Sequence, residues 1–105
     1  MSAVIVLSTV PEMGTGKKIA KALVDERLAA CVNLIPYVKS FYVWEGKTVE
    51  DDEGLLIIKT DKESLEKVIK RVKELHPYTI PEVISIDISW GLPEYLNWIV
   101  ESVRK

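Results

Sequence analysis

Cysteine and histidine each occur only once in this sequence, as Cys31 and His76. A single cysteine cannot form a disulfide within the chain, so the cytoplasm is the expected compartment. With one histidine, no Ser/His/Asp or Cys/His arrangement can be identified, and no paired acid and base follow from the spacing. The sequence therefore predicts a protein that is not an enzyme and that needs no organic cofactor.

Long apolar runs and a strong excess of either charge are also absent. No segment approaches the roughly 20 apolar residues of a membrane-spanning helix, so no membrane association is expected. Fourteen Lys+Arg residues stand against sixteen Asp+Glu residues. The basic residues are spread along the chain rather than gathered in one patch, which argues against nucleic acid as a partner. The 105 residues are 48% hydrophobic and predict one domain, residues 1–105.

The longest predicted element is a β-hairpin. Residues 38–44 alternate between two faces as a strand does, and Glu45-Gly46-Lys47 supplies a turn. The return strand, residues 49–60, is polar up to Glu53 and then apolar, which predicts an inner end buried on both faces. At roughly 3.3 Å per residue it spans about 40 Å, whereas a domain of this size is about 33 Å across. We therefore expect the hairpin to protrude and to interlock with other copies of the chain.

The remaining elements give the order β-α-β-β-α-β-α. A strand over residues 3–9, ended by Pro11, Gly14 and Gly16, precedes an amphipathic helix over residues 17–28. A capping box of Thr60 and Glu63 predicts a second helix that runs to about His76, followed by a strand over 83–88 and a short helix from Pro93. This order predicts an α+β, ferredoxin-like split βαβ fold with an extra C-terminal helix. That fold has many functions, so it does not predict function by itself.

Several ordered groups of residues resemble the CutA divalent-cation-tolerance family. They are residues 28–33 (LAACVN), Ser40, Tyr42, Trp44, Gly46, Glu53, Leu55, Leu56, Lys59, Thr60, His76-Pro77-Tyr78, Pro81-Glu82, Tyr95 and Trp98. The resemblance implies a cytoplasmic homotrimer locked by its hairpins and associated with copper and other divalent metal ions. Some members carry a cysteine and a second histidine where this chain has Ser8 and Leu75, so the implied metal binding is weak.

The predicted metal ligands are His76, Cys31, Glu53 and Glu82. A thiol suits Cu(I) or zinc, and a neutral imidazole coordinates many metals. Cys31 can instead be a small buried hydrophobe, and His76 can instead interact with the negative end of the second helix dipole. The carboxylates at 50–53 alternate between strand faces, so at most two lie together, and they are expected to discourage edge pairing.

Four further residues are predicted to line an intersubunit cleft or interface: Tyr42, Trp44, Lys59 and Tyr78. Large rings with polar tips suit interfaces, although packing alone also explains them. A second hypothesis is a trimeric small-molecule or nucleotide-binding module of PII-like architecture, with Lys59, Lys17 and Tyr78 as candidates. A third is a purely structural trimeric scaffold.

Overall fold

The computed structural model describes residues 2–104. Its elements are β1 (Ala3–Val10), α1 (Met13–Asp25), β2 (Cys31–Trp44), β3 (Lys47–Asp61), a 3-10 turn (Lys62–Ser64), α2 (Leu65–Leu75), β4 (Ile84–Asp87) and α3 (Pro93–Ser102). The strands form one antiparallel sheet in the order β2-β3-β1-β4. The predicted ferredoxin-like α+β fold with an extra C-terminal helix is confirmed. Within residues 2–104, no helix is long and apolar enough to cross a membrane.

Helices α1 and α2 cover one face of the sheet. Side chains alternate between the two sides of a strand, and every second residue of β1 faces these helices and is buried. The valines of this β1 face pack with apolar residues of the two helices, of β3 and of the loop before β2. Together they form the core: Val4, Val6, Val10, Ile19, Leu23, Ala29, Leu56, Ile58, Val68 and Val72. Full burial of a Val, Leu or Ile side chain contributes about 1.5–3 kcal/mol, so this layer holds both helices to the sheet.

Helix α3 packs against the opposite face, where it contacts β1 and β3 through Ile99 and its neighbours. At about 1.5 Å per residue the helix is about 15 Å long and leaves most of this face open. Leu55 and Ile57 are only half-buried, and Ile84 and Ile86 are each 51% exposed. The prediction that the inner end of the hairpin is buried on both faces is therefore wrong for the single chain.

The β2–β3 hairpin protrudes from the sheet, as predicted. Strand β1 pairs with β3 only from Gly54 onward, so residues 47–53 of β3 pair with β2 alone and form a two-stranded ribbon. Glu45 and Gly46 both have positive φ, 51° and 78°, which matches the twist that a two-residue hairpin turn requires. The long axis of the molecule is 45 Å, against 26 and 22 Å for the other two.

Helix α1 begins earlier than predicted. The Glu12 carboxylate accepts hydrogen bonds from amides of the first turn and so caps the helix. Gly14 and Gly16, predicted to end the preceding strand, therefore lie inside the helix. A Cβ atom at Gly16 would come within 2.9 Å of Leu34 Cδ1, so this glycine allows α1 to approach β2 closely. The helix ends before the predicted residue 28, because Arg27 adopts a left-handed conformation with φ 59°.

The start of α2 also differs from the prediction. The proposed capping box of Thr60 and Glu63 is wrong, because Thr60 lies on the buried side of β3 and its hydroxyl donates to the Leu28 carbonyl oxygen at 2.7 Å. The next residue, Asp61, is the cap, and its carboxylate accepts a hydrogen bond from the Ser64 amide at 2.9 Å. One 3-10 turn therefore precedes the α-helix.

Candidate functional site

His76 follows the last residue of α2 and joins that helix to the sheet. It is 7% exposed, with Nε2 2.7 Å from the Thr9 carbonyl oxygen and Nδ1 3.1 Å from the Tyr78 amide nitrogen. A carbonyl oxygen only accepts and an amide N–H only donates, so Nε2 carries the proton and the imidazole is neutral. Both ring nitrogens are therefore engaged. A metal ion can bind His76 only if one of these hydrogen bonds is broken.

Tyr78 connects His76 to the base of the ribbon. The two ring centroids are 4.7 Å apart, and the Tyr78 hydroxyl donates to Glu53 Oε2 at 3.1 Å. Glu53 is only 8% exposed and lies directly beyond Gly54, where β1 stops pairing with β3. Tyr78 is 39% exposed, and its partial removal from water, followed by the hydrogen bond to the Glu53 carboxylate, raises the pKa of Tyr78 to about 12. Tyr78 therefore keeps its phenolic proton, and with it the hydrogen bond to Glu53, to a higher pH than a free tyrosine would.

Four consecutive carboxylates of β3 divide between the two faces of the ribbon, as predicted. On one face, Lys39 Nζ lies 3.1 Å from Glu50 Oε2 and 2.9 Å from Asp52 Oδ1. On the other face, the Tyr42 hydroxyl donates to Asp51, and this contact raises the pKa of Tyr42. Calcium takes six to eight oxygen ligands. These carboxylates lie two to a face and already contact Lys39 or a tyrosine hydroxyl, so they do not supply such a set.

The four predicted metal ligands do not converge within one chain. Cys31 on β2 pairs with Lys59 on β3, which pairs with Ile5 on β1. His76 contacts Thr9, which is four residues further along β1. At 3.3 Å per residue the separation along the strand is roughly 13 Å. Glu82 is exposed in the loop before β4. Among residues 2–104, no three His, Cys, Asp or Glu side chains come together as a group able to hold a metal ion.

The three residues predicted for a small-molecule site are also separate from one another. Lys59 lines a groove of 370 Å³ between α3 and the sheet, with Nζ 5.7 Å from the centroid of the Tyr95 ring. Lys17 lines a different, more open groove of 610 Å³ between α1 and β2. Tyr78 lines neither groove. Of the residues predicted for an interface, Tyr42 and Trp44 lie on the ribbon and are 43% and 64% exposed.

The buried hydroxyl of Ser8, the residue before Thr9 on β1, was not predicted from the sequence. Ser8 is fully buried in β1, and its hydroxyl has no hydrogen-bond partner among the residues that the structure describes. The signal available was a serine in the inward-facing register of β1, between Val6 and Val10. The Glu53–Tyr78 hydrogen bond was also missed, since its partners lie on different elements.

Fold and site together define a class of protein: ferredoxin-like chains whose sheet extends into a ribbon, with a hydrogen bond between a buried glutamate and a partly exposed tyrosine at its base. A family model described as CutA1 divalent ion tolerance protein matches residues 4–102. The chain belongs to this family, which confirms the resemblance seen in the sequence.

Two relatives show how far the similarity extends. The divalent-cation tolerance protein CutA of Thermus thermophilus is 51% identical over 98 residues, which are 93% of this chain and 95% of the relative. The chloroplastic protein CutA of Arabidopsis thaliana is 46% identical over 102 residues, which are 97% of this chain but 56% of the relative. The chain therefore spans nearly all of the bacterial relative and about half of the plant one.

Two solved structures share the fold over nearly the whole chain. The divalent cation tolerance protein (Cut A1) from Thermus thermophilus superposes with a TM-score of 0.92 at 50% identity, covering 95% of this chain and 97% of the other. A CutA from Archaeoglobus fulgidus, described as periplasmic, gives a TM-score of 0.93 at 40% identity, covering 97% and 99%. Relatives are thus assigned to different compartments.

Proposed function

We propose that this protein is a cytoplasmic, non-catalytic homotrimer that provides divalent-cation tolerance and binds copper or other divalent ions weakly. The observation that carries the proposal is the exposed apolar surface of the ribbon. Phe41 is 65% exposed, Val43 is 68% exposed and Trp44 is 64% exposed. An isolated two-stranded ribbon with such side chains is marginal in water, and pairing with further copies of the chain would cover it.

Assembly is tested by light scattering during size-exclusion chromatography at micromolar concentration. The expected mass is three times the 11.9 kDa of one chain. The uncovered sheet face beside α3, with Ile84 and Ile86 half exposed, supplies additional apolar area for the same contact. A protomer mass that persists over a tenfold rise in concentration would end the proposal of a trimer.

Metal binding is expected to be weak because the four candidate ligands of one chain lie apart and two of them, His76 and Glu53, are already hydrogen-bonded. His76 must give up a hydrogen bond, and each hydrogen bond contributes about 0.5–1.5 kcal/mol. Ligands such as Cys31, Glu53 and Glu82 would have to meet across subunits.

Calorimetric titration of copper into the wild type, His76→Ala and Cys31→Ser tests this set of ligands. We expect weaker binding in each variant, with thermal melting as the control for folding. Curves that superpose for all three proteins would remove both residues from the site.

A second candidate function is the binding of a small molecule. The observation that favours it is the groove at Lys59, where this half-buried residue lies among apolar side chains and the volume of 370 Å³ suits a small ligand. A thermal-shift screen of nucleotides and organic anions tests it, because a ligand of the native state raises the melting temperature. No shift with any of these compounds would count against this candidate.

A further inference from the structure

The ribbon joins the rest of the sheet at a point where the strand pairing is interrupted. On β2 the register shifts between Ile35 and Val38, so the two residues between them stand opposite Gly54 alone. Such an arrangement is a β-bulge, which disrupts the ladder and bends the strand. One of the two residues is Pro36, which has no backbone N–H to donate. Strand β1 also stops pairing with β3 at Gly54. Three features that weaken or end the pairing therefore coincide at this junction.

Beyond this junction the ribbon is a lever. Residues 47–53 of β3 pair with β2 alone, and at roughly 3.3 Å per residue they reach about 23 Å from the junction. The backbone hydrogen bonds of the ribbon do not fix its direction, because they join two strands that turn together. The contacts of the Lys39 and Tyr42 side chains with carboxylates of β3 also stay within the ribbon. A contact from outside the hairpin is needed to hold the ribbon at one angle to the sheet.

The hydrogen bond between Tyr78 and Glu53 is such a contact. Tyr78 lies in the segment after α2, and Glu53 is the first residue of β3 on the ribbon side of Gly54. Glu53 is 8% exposed, whereas its neighbour Asp52 is exposed. A hydrogen bond to a charged group that is shielded from water is stronger than one between neutral exposed groups. Both partners belong to one chain, so contacts with other copies can add to the burial of Glu53 but do not supply this bond.

Tyr78 is itself fastened to the core. Its amide donates to His76 Nδ1 at 3.1 Å, and its ring centroid lies 4.7 Å from that of the imidazole. The imidazole donates to the Thr9 carbonyl oxygen of β1 at 2.7 Å, and the His76 amide donates to the Val72 carbonyl oxygen of α2 at 2.9 Å. His76 therefore gives Tyr78 a fixed position relative to both β1 and α2. This path runs from the core to the base of the ribbon without passing through the bulge.

We propose that the hydrogen bond between Tyr78 and Glu53 is a latch that fixes the direction of the ribbon relative to the sheet, with the bulge and Gly54 as the hinge. While the latch is closed, the ribbon stays at one angle; when it opens, the ribbon swings about the junction. A ribbon held in one direction loses less conformational freedom in any contact that it makes. The latch lies within one chain, so it does not depend on the trimer proposed above.

The distance between a spin label at the ribbon tip and one on α1, measured by double electron–electron resonance, reports the direction of the ribbon. Lys47→Cys and Lys18→Cys place the labels at exposed positions, and Cys31→Ser removes the native thiol. All proteins carry Trp44→Glu, to free the ribbon from other copies, and excess unlabelled chain keeps each measured distance within one chain. A second label pair, at positions 18 and 70 on α1 and α2, gives a core distance as reference.

Tyr78→Phe should broaden or shift the distance from the tip to α1 by about 4 Å or more, which is the displacement for a rotation of about 10° at the junction. Tyr42→Phe is the matched control and should leave this distance unchanged, because it also removes a hydroxyl bonded to a carboxylate, but within the ribbon. Glu53→Ala should act as Tyr78→Phe does. Glu53→Gln should keep the wild-type distance, because its side-chain carbonyl still accepts from the Tyr78 hydroxyl.

Three results would overturn the proposal. They are an unchanged tip distance in both Tyr78→Phe and Glu53→Ala, equal broadening in Tyr78→Phe and Tyr42→Phe, and an equal change in the core distance, which would mean that the whole chain has loosened. Light scattering without Trp44→Glu reads assembly separately, and there Tyr78→Phe should raise the concentration at which the assembly dissociates by about tenfold. A broadened tip distance with unchanged dissociation would support the latch and contradict assembly through the ribbon, so the two proposals fail separately.

Discussion

The buried hydroxyl of Ser8 should lower the free energy of unfolding, and substitution of Ser8 by valine and by threonine measures this cost. Ser8 is fully buried in a central strand, and its hydroxyl has no partner among residues 2–104. A buried hydroxyl without a hydrogen bond costs about 1–3 kcal/mol in protein mutational data. Valine replaces it with methyl groups that face the core, and a β-branched side chain also favours a strand. Overpacking opposes the gain by about 1–3 kcal/mol, so comparison with serine alone would be ambiguous.

Threonine resolves this ambiguity because it has the shape of valine and keeps the hydroxyl. Overpacking then largely cancels between Ser8→Val and Ser8→Thr, and the valine variant should be more stable by about 1–3 kcal/mol. Guanidinium unfolding measures the difference. Both proteins must be compared at one protomer concentration, since assembly makes apparent stability depend on concentration. Equal stability of the two variants would show that the hydroxyl is satisfied in solution and would refute the reasoning.

Three other substitutions test the ribbon, the contact between α1 and α2, and the tyrosine at the base of the ribbon. Trp44→Glu puts a charge on exposed apolar surface and should lower the mass seen by light scattering to that of one chain; an unchanged mass would remove Trp44 from the interface. Arg71→Gln loses the ion pair in which Arg71 Nη2 lies 2.9 Å from Glu26 Oε2, but both side chains are more than a third exposed. Arg71→Gln should therefore lower the free energy of unfolding, measured with guanidinium, by no more than about 1 kcal/mol. A decrease several times larger would contradict this. The folded pKa of Tyr78, about 12, lies above its ordinary value of 10.0, so its contribution to stability is complete below about pH 10 and is lost as the pH rises towards 12. Between about pH 10 and 12, the free energy of unfolding measured with guanidinium should fall more in the wild type than in Tyr78→Phe. An equal fall in the two proteins would contradict this.

The strands and the hairpin could be predicted because their signals are local. Alternation along residues 38–44 and the glycine at position 46 determine a ribbon whatever the rest of the chain does. The same local reasoning gave the wrong start for α1. Glycines at 14 and 16 suggested a break, whereas capping by Glu12 and close packing against Leu34 keep them in the helix.

The candidate site was harder to predict because its contacts join distant parts of the chain. His76 could be singled out as the one imidazole, but its partner is the backbone carbonyl of Thr9, and any residue type supplies a carbonyl. Likewise, the match of Glu53 and Tyr78 to a family pattern did not reveal that they bond to each other. Spacing in the sequence carries no information about such contacts, which the sheet register creates.

The position of His76 constrains how metal and assembly can be related in this protein. The imidazole donates one hydrogen bond to the Thr9 carbonyl oxygen of β1 and accepts another from the Tyr78 amide, and the Tyr78 hydroxyl in turn donates to Glu53 at the base of the ribbon. A metal ion that takes the Nδ1 lone pair must release the Tyr78 amide, and so must loosen the contact between α2 and the ribbon. If the ribbon is also the surface that joins subunits, one coupling free energy links metal binding to assembly, so each changes the equilibrium constant of the other by the same factor. Within residues 2–104 the candidate ligands do not form one group, and His76 and Glu53 already have partners, so a metal site built from them requires ligands from more than one chain.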